Sequence, residues 1–461
     1  MTPEGLLLAA LPEHLLLAGI VGVLLMDLLA KRPQDALLPT LVTLLGAAGL
    51  AVMLALSGYS GAPFPGHFSV DTQAYWAKAI LIGLSVPIIL LVRAEGLENR
   101  FAVLLLSSLY GAGLMLSADS LLMLFIGLEL LSLPLYALVV MGSRRPESAE
   151  AALKYLVIGG VGTAVLLMGL SLTLGATGGL SVAHFQTALA DDSILARGAV
   201  VLVVVAFMLK AAIVPFHSWA PDAYDGASLP ATAFMATVIK GAVLLALLRL
   251  FGPASAAPVL LGVIIVLPLL SMLWGNLVAL RQDRFRRLIA YSSIAHAGYL
   301  FFVLLAPAEL RFQAVAFYIL AYGLTTLLAF ACLPNGPDTQ RDHLSHLKGL
   351  YYRSPFAAIL IALAMLSLAG IPPFPGFVAK FMIFQGVMAS GHVTLAVLGL
   401  LASYVGIYLY LRVIQSLFME SAPTSTATTL PGPLARTAAG LSLIAVLLLT
   451  IIPGVVLAWL G

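Results

Sequence analysis

Several charged side chains in this sequence stand where hydrocarbon would surround them. Lys210 follows the run VVLVVVAFML, Lys240 follows ATAFMATVI, and Lys380 precedes FMIFQGVM. None has a polar stretch beside it through which its ammonium reaches water. Glu129 lies about ten residues, or about 15 Å of helix, beyond Asp119 at the start of its own apolar run. A charge at the centre of a bilayer costs roughly 2.5–3.5 kcal/mol on insertion scales. Ion pairing offsets that cost for one lysine, but three deep lysines outnumber the one deep carboxylate. Burial disfavours the charged form of a lysine, and a nearby carboxylate restores it. A lysine whose carboxylate partner moves or is neutralised therefore takes up and releases a proton near neutral pH. That is the chemistry of a proton relay.

His296 adds an imidazole inside the apolar run RLIAYSSIAHAGYLFF, with Tyr291, Ser292, Ser293 and Tyr299 around it. A lone histidine in such a run is ordinarily a hydrogen-bonded core residue, but so many hydroxyls make it a relay candidate. His217, just after Pro215, is similar but nearer the external end. Lys154 and Lys78 lie close enough to the ends of their runs to snorkel to the surface. Lys78 is therefore expected at the external rim, and Lys154 stands between the two readings. There is no HExxH, Walker loop, nucleophile elbow or GxGxxG after a strand, so ATP, flavin and dinucleotides have no site. The single Cys332 excludes a disulfide framework, a cysteine-ligated zinc and a self-contained iron–sulfur cluster.

The elements that position these residues follow from composition. The chain has 461 residues, of which 61% are hydrophobic and 9% charged, and its mean hydropathy is +1.08. Soluble domains carry roughly 25% charged residues, so this is an integral membrane protein. Runs of about 20 apolar residues make it helical rather than a barrel. A net charge of +3 argues against a nucleic-acid partner. The predicted fold is all-α, with about fourteen spans near 12–30, 36–57, 73–93, 100–118, 119–141, 149–173, 194–217, 229–251, 255–280, 286–306, 311–333, 353–388, 392–418 and 435–460. The break near Asp119 is the weakest boundary. Stretch 179–190 is compatible with a short interfacial helix, and SAPTSTATTLPGP reads as a linker without chemistry. The first span has its positive charge behind it, at Lys31 and Arg32, unlike a secretory signal. Basic residues after odd-numbered spans, among them Arg93, Arg100, Arg144, Arg145, Arg284, Arg341 and Arg412, far outnumber Arg197, Arg249 and Arg311 on the other side. The positive-inside rule then makes the loops after odd-numbered spans cytoplasmic and both termini external.

Two spans should break. Pro355 to Ser390 as one straight helix would be about 54 Å long against a hydrocarbon core of roughly 30 Å, and GIPPFPG in its middle interrupts it. Span seven has Lys210 one turn before Pro215 and the polar run HSWAPDAYDG after it. Broken helices at membrane depth mark ion sites in transporters. Taking spans four to eight and nine to thirteen as two groups, the fourth member of each carries a lysine beside a proline break. The second member of each carries a mid-span titratable group, Glu129 or His296. Five being odd, the groups cross the membrane in opposite senses, which predicts an inverted repeat. The expected division is 1–99 for three N-terminal spans, 100–251 and 252–418 for the repeats, and 419–461 for the linker and last span.

The runs LMLFIGLELLSLPLYAL, EAALKY, FMLKAAIVPFHSWAPDAYDGA, MATVIKGA, RRLIAYSSIAHAGY and MLSLAGIPPFPGFVAKF resemble the subunit N family of bacterial respiratory NADH–quinone oxidoreductase (complex I), one of its antiporter-like membrane-arm families. The resemblance covers about residues 70 to 415. It implies proton translocation by fourteen helices with two inverted five-helix half-channels. No redox centre would lie in this chain, and FMN, iron–sulfur clusters and quinone would belong to partner subunits. By the same resemblance Glu129 and Lys210 would be the ion pair of the first half-channel, and Lys240 the connecting lysine. His296 with neighbouring hydroxyls would continue the polar axis, Lys380 would end the second half-channel, and Lys154 matches the family's lysine on span six. A lysine at 380 and an end after span fourteen favour subunit N over the related subunits M and L. The implied partners are the antiporter-like subunit M and small subunits such as K and J. A subunit of a multi-chain sodium/proton antiporter of the Mrp type is the alternative, and a non-conducting scaffold a further one.

Overall fold

The computed structural model describes residues 3–29, 35–92, 98–141, 146–253, 258–334, 342–419 and 431–461. Lys31, Arg32, Arg93, Arg144, Arg145, Arg341 and most of the Ser/Thr/Pro linker lie outside them. Apolar runs in a hydrocarbon layer must close their backbone hydrogen bonds internally, which makes them helices. Among the described residues, twelve helices are long and apolar enough to cross a membrane, and they fall on twelve of the expected spans. The remaining two are spans seven and twelve, whose prolines predicted interruption. Span seven is helical over Ile194–Lys210 and resumes as the short helix Trp219–Gly226. Span twelve divides into Pro355–Ala369 and Pro375–Ala389.

Four spans form the centre and are buried nearly all round: Thr72–Val92, Leu229–Phe251, Phe285–Leu305 and Ala308–Ala331. The first span, Leu11–Leu29, lies at the rim with only 22% of its apolar window buried. Rim helices turn large apolar side chains outward, among them Leu24, Leu28, Val266 and Leu447. Lys210, Lys240, Lys380 and His296 are all buried. The polarity is that of a membrane protein, apolar at its perimeter with ionisable groups inside.

Two details depart from the expectation. The 58–72 connection is not wholly irregular: strands Gly61–Phe64 and Phe68–Val70 pair antiparallel, with Phe64 opposite Phe68. GAPFPGHFSV is short and proline-interrupted, without the alternation that announces strands. The hairpin fastens onto the turn between spans four and five, where the Ser69 N–H donates to the Ser117 carbonyl and the Asp119 N–H to the His67 carbonyl, both at 2.9 Å. That fastening ends span four at Leu116 and begins Leu121–Met141, so the break near Asp119 is real. The second departure is Lys78, which does not reach the surface. Its ammonium is 2.5 Å from Glu13 Oε1 of the first span, and both side chains are almost fully buried. The hairpin covers the end of the helix through which Lys78 was expected to escape, with the Phe68 ring 5.3 Å from its nitrogen.

Candidate functional site

Span seven ends where its lysine begins the site. Lys210 is the last helical residue, and the turn after it closes with Ala212 in the left-handed region (φ 61°). The Ala212 N–H donates to the Leu209 carbonyl at 3.1 Å and the Ile213 N–H to Met208 at 2.9 Å. This is the Schellman closure that usually recruits glycine. Span twelve stops in the same way at Gly370 (φ 80°), with the Ile371 N–H on the Leu366 carbonyl at 3.2 Å. Neighbouring side chains take up the freed backbone groups. Trp219 Nε1 donates to the Leu209 carbonyl at 3.1 Å, and the Val214 N–H donates to Ser271 Oγ at 2.8 Å.

The Lys210 ammonium donates to Glu129 Oε1 at 3.4 Å and to Ser132 Oγ at 3.3 Å. Glu129 Oε1 also accepts from Thr163 Oγ1 at 2.6 Å. The carboxylate thus has a short neutral donor and a longer ionic one, an arrangement in which the ion pair is the looser contact. Lys240 follows a π-helical turn, Met235–Ile239, the kind of helix irregularity found at functional sites. It is fully enclosed, and its ammonium donates to Ser293 Oγ at 2.7 Å. Among the described residues no carboxylate lies within ion-pair distance of it. Tyr224 and Tyr322 hydroxyls both approach Ser293, without completing hydrogen bonds.

Span ten then carries the chain of polar groups onward. His296 Nδ1 is 2.7 Å from the Tyr318 hydroxyl and Nε2 is 3.0 Å from the Tyr410 hydroxyl, which in turn meets Ser292 Oγ at 2.7 Å. Tyr299 lies one turn further along the same helix. Its ring is 5.7 Å from His296 and 5.2 Å from the Lys380 nitrogen. The Lys380 ammonium donates to the Ala369 carbonyl and to Ser403 Oγ, each at 3.0 Å. It sits at the negative end of the preceding half-helix, a favourable place for a cation. Gly370 makes the room, since a Cβ there would lie 2.9 Å from Lys380 Cδ.

The structure therefore brings Glu129 and Lys210 together, and it sets Lys240 and Lys380 against span ten, which carries His296. It puts Lys154 elsewhere. That lysine is half-exposed in a charged cluster, 2.8 Å from Glu150 and 2.9 Å from Asp222 Oδ2, while Asp222 Oδ1 accepts from Arg287 at 2.8 Å. His217 accepts from Trp274 Nε1 at 3.0 Å and stands apart from the lysine chain. Sequence reasoning missed Thr163, Tyr318, Ser403 and Tyr410. Each is a hydroxyl in an apolar helix, with no spacing signal to separate it from other helix hydroxyls such as those of Tyr404 and Tyr408. No group of His, Cys, Asp and Glu able to hold a metal occurs among the described residues.

Residues 118–406 match the family model of the NADH:quinone oxidoreductase/Mrp antiporter transmembrane proteins. The chain is 40% identical to a Pelobacter propionicus protein named NADH-quinone oxidoreductase subunit N, covering 91% of this chain and 90% of that one. The chain belongs to the NADH–quinone oxidoreductase subunit N family. Another subunit N relative, from Geobacillus kaustophilus, is 37% identical over 95% of this chain and 91% of its own. The subunit N fold extends to a chain of respiratory complex I from Thermus thermophilus, with TM-score 0.83, 34% identity, and 97% and 98% of the two chains covered. A chain of the Mrp complex from Dietzia has the same fold, with TM-score 0.83 at 21% identity over 100% of this chain and 96% of that one.

Proposed function

We propose that this chain is a proton-translocating membrane-arm subunit of an NADH–quinone oxidoreductase. Electron transfer from NADH to quinone takes place in other subunits, which hold the FMN and iron–sulfur clusters. The observation that carries this reading is that each of three enclosed lysines donates to a serine hydroxyl: Lys210 to Ser132, Lys240 to Ser293 and Lys380 to Ser403. A hydroxyl both accepts and donates, so each lysine has a neighbour through which a proton passes without a free ion in the apolar interior. His296, held between two tyrosines, bridges the stretch between Lys240 and Lys380.

Protons enter from the cytoplasmic side through the cluster of Lys154, Asp222 and Arg287, load the central lysines and leave to the outside. The driving event is a change in the Glu129–Lys210 contact, set by redox steps elsewhere in the complex. The similar closures of the breaks at Ala212 and Gly370 support the division into inverted repeats at 100–251 and 252–418. The membrane is the bacterial plasma membrane with both termini outside, and the neighbours are subunit M and small subunits such as K and J.

The test replaces Lys210, Lys240 and Lys380 singly by alanine in the whole complex and measures protons moved per NADH oxidised in sealed vesicles. Assembled variants with a lowered ratio are expected, and wild-type ratios in all three would reject the relay. Purification of the native assembly separates this reading from the antiporter alternative. A peripheral arm with flavin and iron–sulfur absorption is expected, and a complex without them would favour an Mrp-type antiporter.

A further inference from the structure

Glu13 and Lys78 lie outside both predicted repeats and outside the residues matched by the family model, and the relay does not use them. Their side chains are 3% and 1% exposed and 2.5 Å apart. Neither the Lys78 ammonium nor either Glu13 oxygen completes a hydrogen bond among the described residues. A buried pair satisfied only by its own contact is a poor source of stability, since apolar residues of like volume commonly do as well. Yet the site is fitted to it. Gly113 of span four leaves the space the carboxylate occupies, because a Cβ there would lie 2.9 Å from Glu13 Oε1. The Tyr75 and Phe68 rings stand 5.1 Å and 5.3 Å from the ammonium.

The position of the pair along the membrane suggests its use. Gly241, next to Lys240, packs against Leu81 of span three. Lys78 is three residues, or about 4.5 Å of rise, from Leu81 toward the end that the basic-residue count places outside. Arg249 and Asp71 lie further out and hold each other at 2.8 Å. They line an open cavity of about 510 Å³ together with Ala74, Ala77 and Leu116. Leu116 also lines the small space around Glu13 and Lys78, so the two spaces share a wall at that side chain.

We propose that Glu13 and Lys78 form a proton-release site on the external side, fed from the level of Lys240 and draining into the Asp71–Arg249 cavity. The proposal rests on the reading that the buried lysines carry protons. A proton arriving at the resting pair joins the Glu13 carboxylate, leaving a carboxylic acid beside the Lys78 ammonium with one added positive charge. The proton then leaves Glu13 for water in the cavity, and the ion pair is restored. Arg249 opposes the added charge and favours release, while Asp71 tempers it. The other titratable groups around the pair are Tyr75 and Tyr59 on its external side and Tyr110 on span four; His14, the next residue after Glu13, is exposed.

Glu13→Gln combined with Lys78→Met removes both charges and keeps the volume. In the assembled complex the expected result is retained NADH oxidation with fewer protons moved per NADH. A structural pair would leave that ratio unchanged, and a wild-type ratio overturns the proposal. A second measurement uses the unaltered complex in sealed vesicles and dicyclohexylcarbodiimide, which reacts with protonated carboxyl groups in apolar surroundings. Labelling of the Glu13 peptide that rises as the external pH falls is expected. Should the double variant fail to assemble, Glu13 unlabelled at every external pH overturns the proposal. Lys210→Ala serves as the control. A lowered ratio there beside a wild-type ratio in the double variant rejects only the release site, whereas wild-type ratios in the lysine variants reject the relay itself.

Discussion

In the relay proposed above, each lysine needs a neighbour that both gives and takes a hydrogen bond, and serine stands at that place beside Lys210, Lys240 and Lys380. Ser293 shows why the hydroxyl matters more than the lysine's burial alone. It accepts from Lys240 at 2.7 Å and donates back to the Ala290 carbonyl at 2.7 Å. Ser293→Ala leaves a buried ammonium without that acceptor, at a cost of about 1–3 kcal/mol, and removes the transfer step. The expected outcome is a complex that oxidises NADH with a lowered proton ratio. Ser293→Thr restores the hydroxyl and should restore most of the ratio; equal ratios in the alanine and threonine variants would show that the hydroxyl plays no part.

At the scale of the helix, the two interruptions are built with different residues for the same geometry. Gly370 enters the left-handed region freely, whereas Ala212 does so at a cost of roughly 1–2 kcal/mol that the surrounding packing must meet. Ala212→Gly removes this strain but loosens the unfolded chain by roughly 0.5–1 kcal/mol. The net expectation is a stabilisation of about 0.5 kcal/mol, seen as a small rise in the thermal midpoint. Ala212→Val places a β-branched residue in the same conformation and should lower the midpoint clearly. A variant series with no dependence on the residue at 212 would mean that the turn after Lys210 relaxes to another geometry. The short helix Trp219–Gly226 beyond this turn ties the broken span to spans six and ten. Its Asp222 joins Lys154 to Arg287, and its Asp225 accepts from Arg284 at 2.9 Å.

Across the whole molecule, the same side of the bundle is secured by a deeper pair. Arg286 Nε donates to Asp342 Oδ2 at 2.8 Å and Arg286 Nη1 to the Ala227 carbonyl at 2.6 Å, with Asp342 fully buried. Burial pushes the Asp342 carboxyl up, but Arg286 and Arg284 outweigh it and hold the carboxyl below its usual range. A depressed carboxylate pKa contributes stability that is complete above the unfolded value near 3.9 and is lost as pH falls through the folded value. Thermal stability should therefore fall on acidification below about pH 4. Asp342→Asn removes the buried carboxylate that Arg286 and Arg284 face, so about 3–5 kcal/mol should be lost at neutral pH, and this part of the acid dependence should vanish. An unchanged acid profile in that variant would assign the loss to other carboxylates.

Hydropathy, charge bias and proline placement determined the membrane class, the positions of the spans and the two that break. These are local properties, since twenty apolar residues in lipid have one way to satisfy their backbone. The burial of Lys210, Lys240 and Lys380 followed from the same runs. What covers a helix end is not local. Lys78 reads as a residue free to snorkel until the hairpin and the first span close over it, and only the packing of span three brings Glu13 to it. Which hydroxyl meets which lysine was likewise decided only by packing, because Ser132, Ser293 and Ser403 come from three helices. A single serine in an apolar run carries no mark of its partner, and hydrogen-bond distance is set where helices cross, not by the order of residues along any one of them.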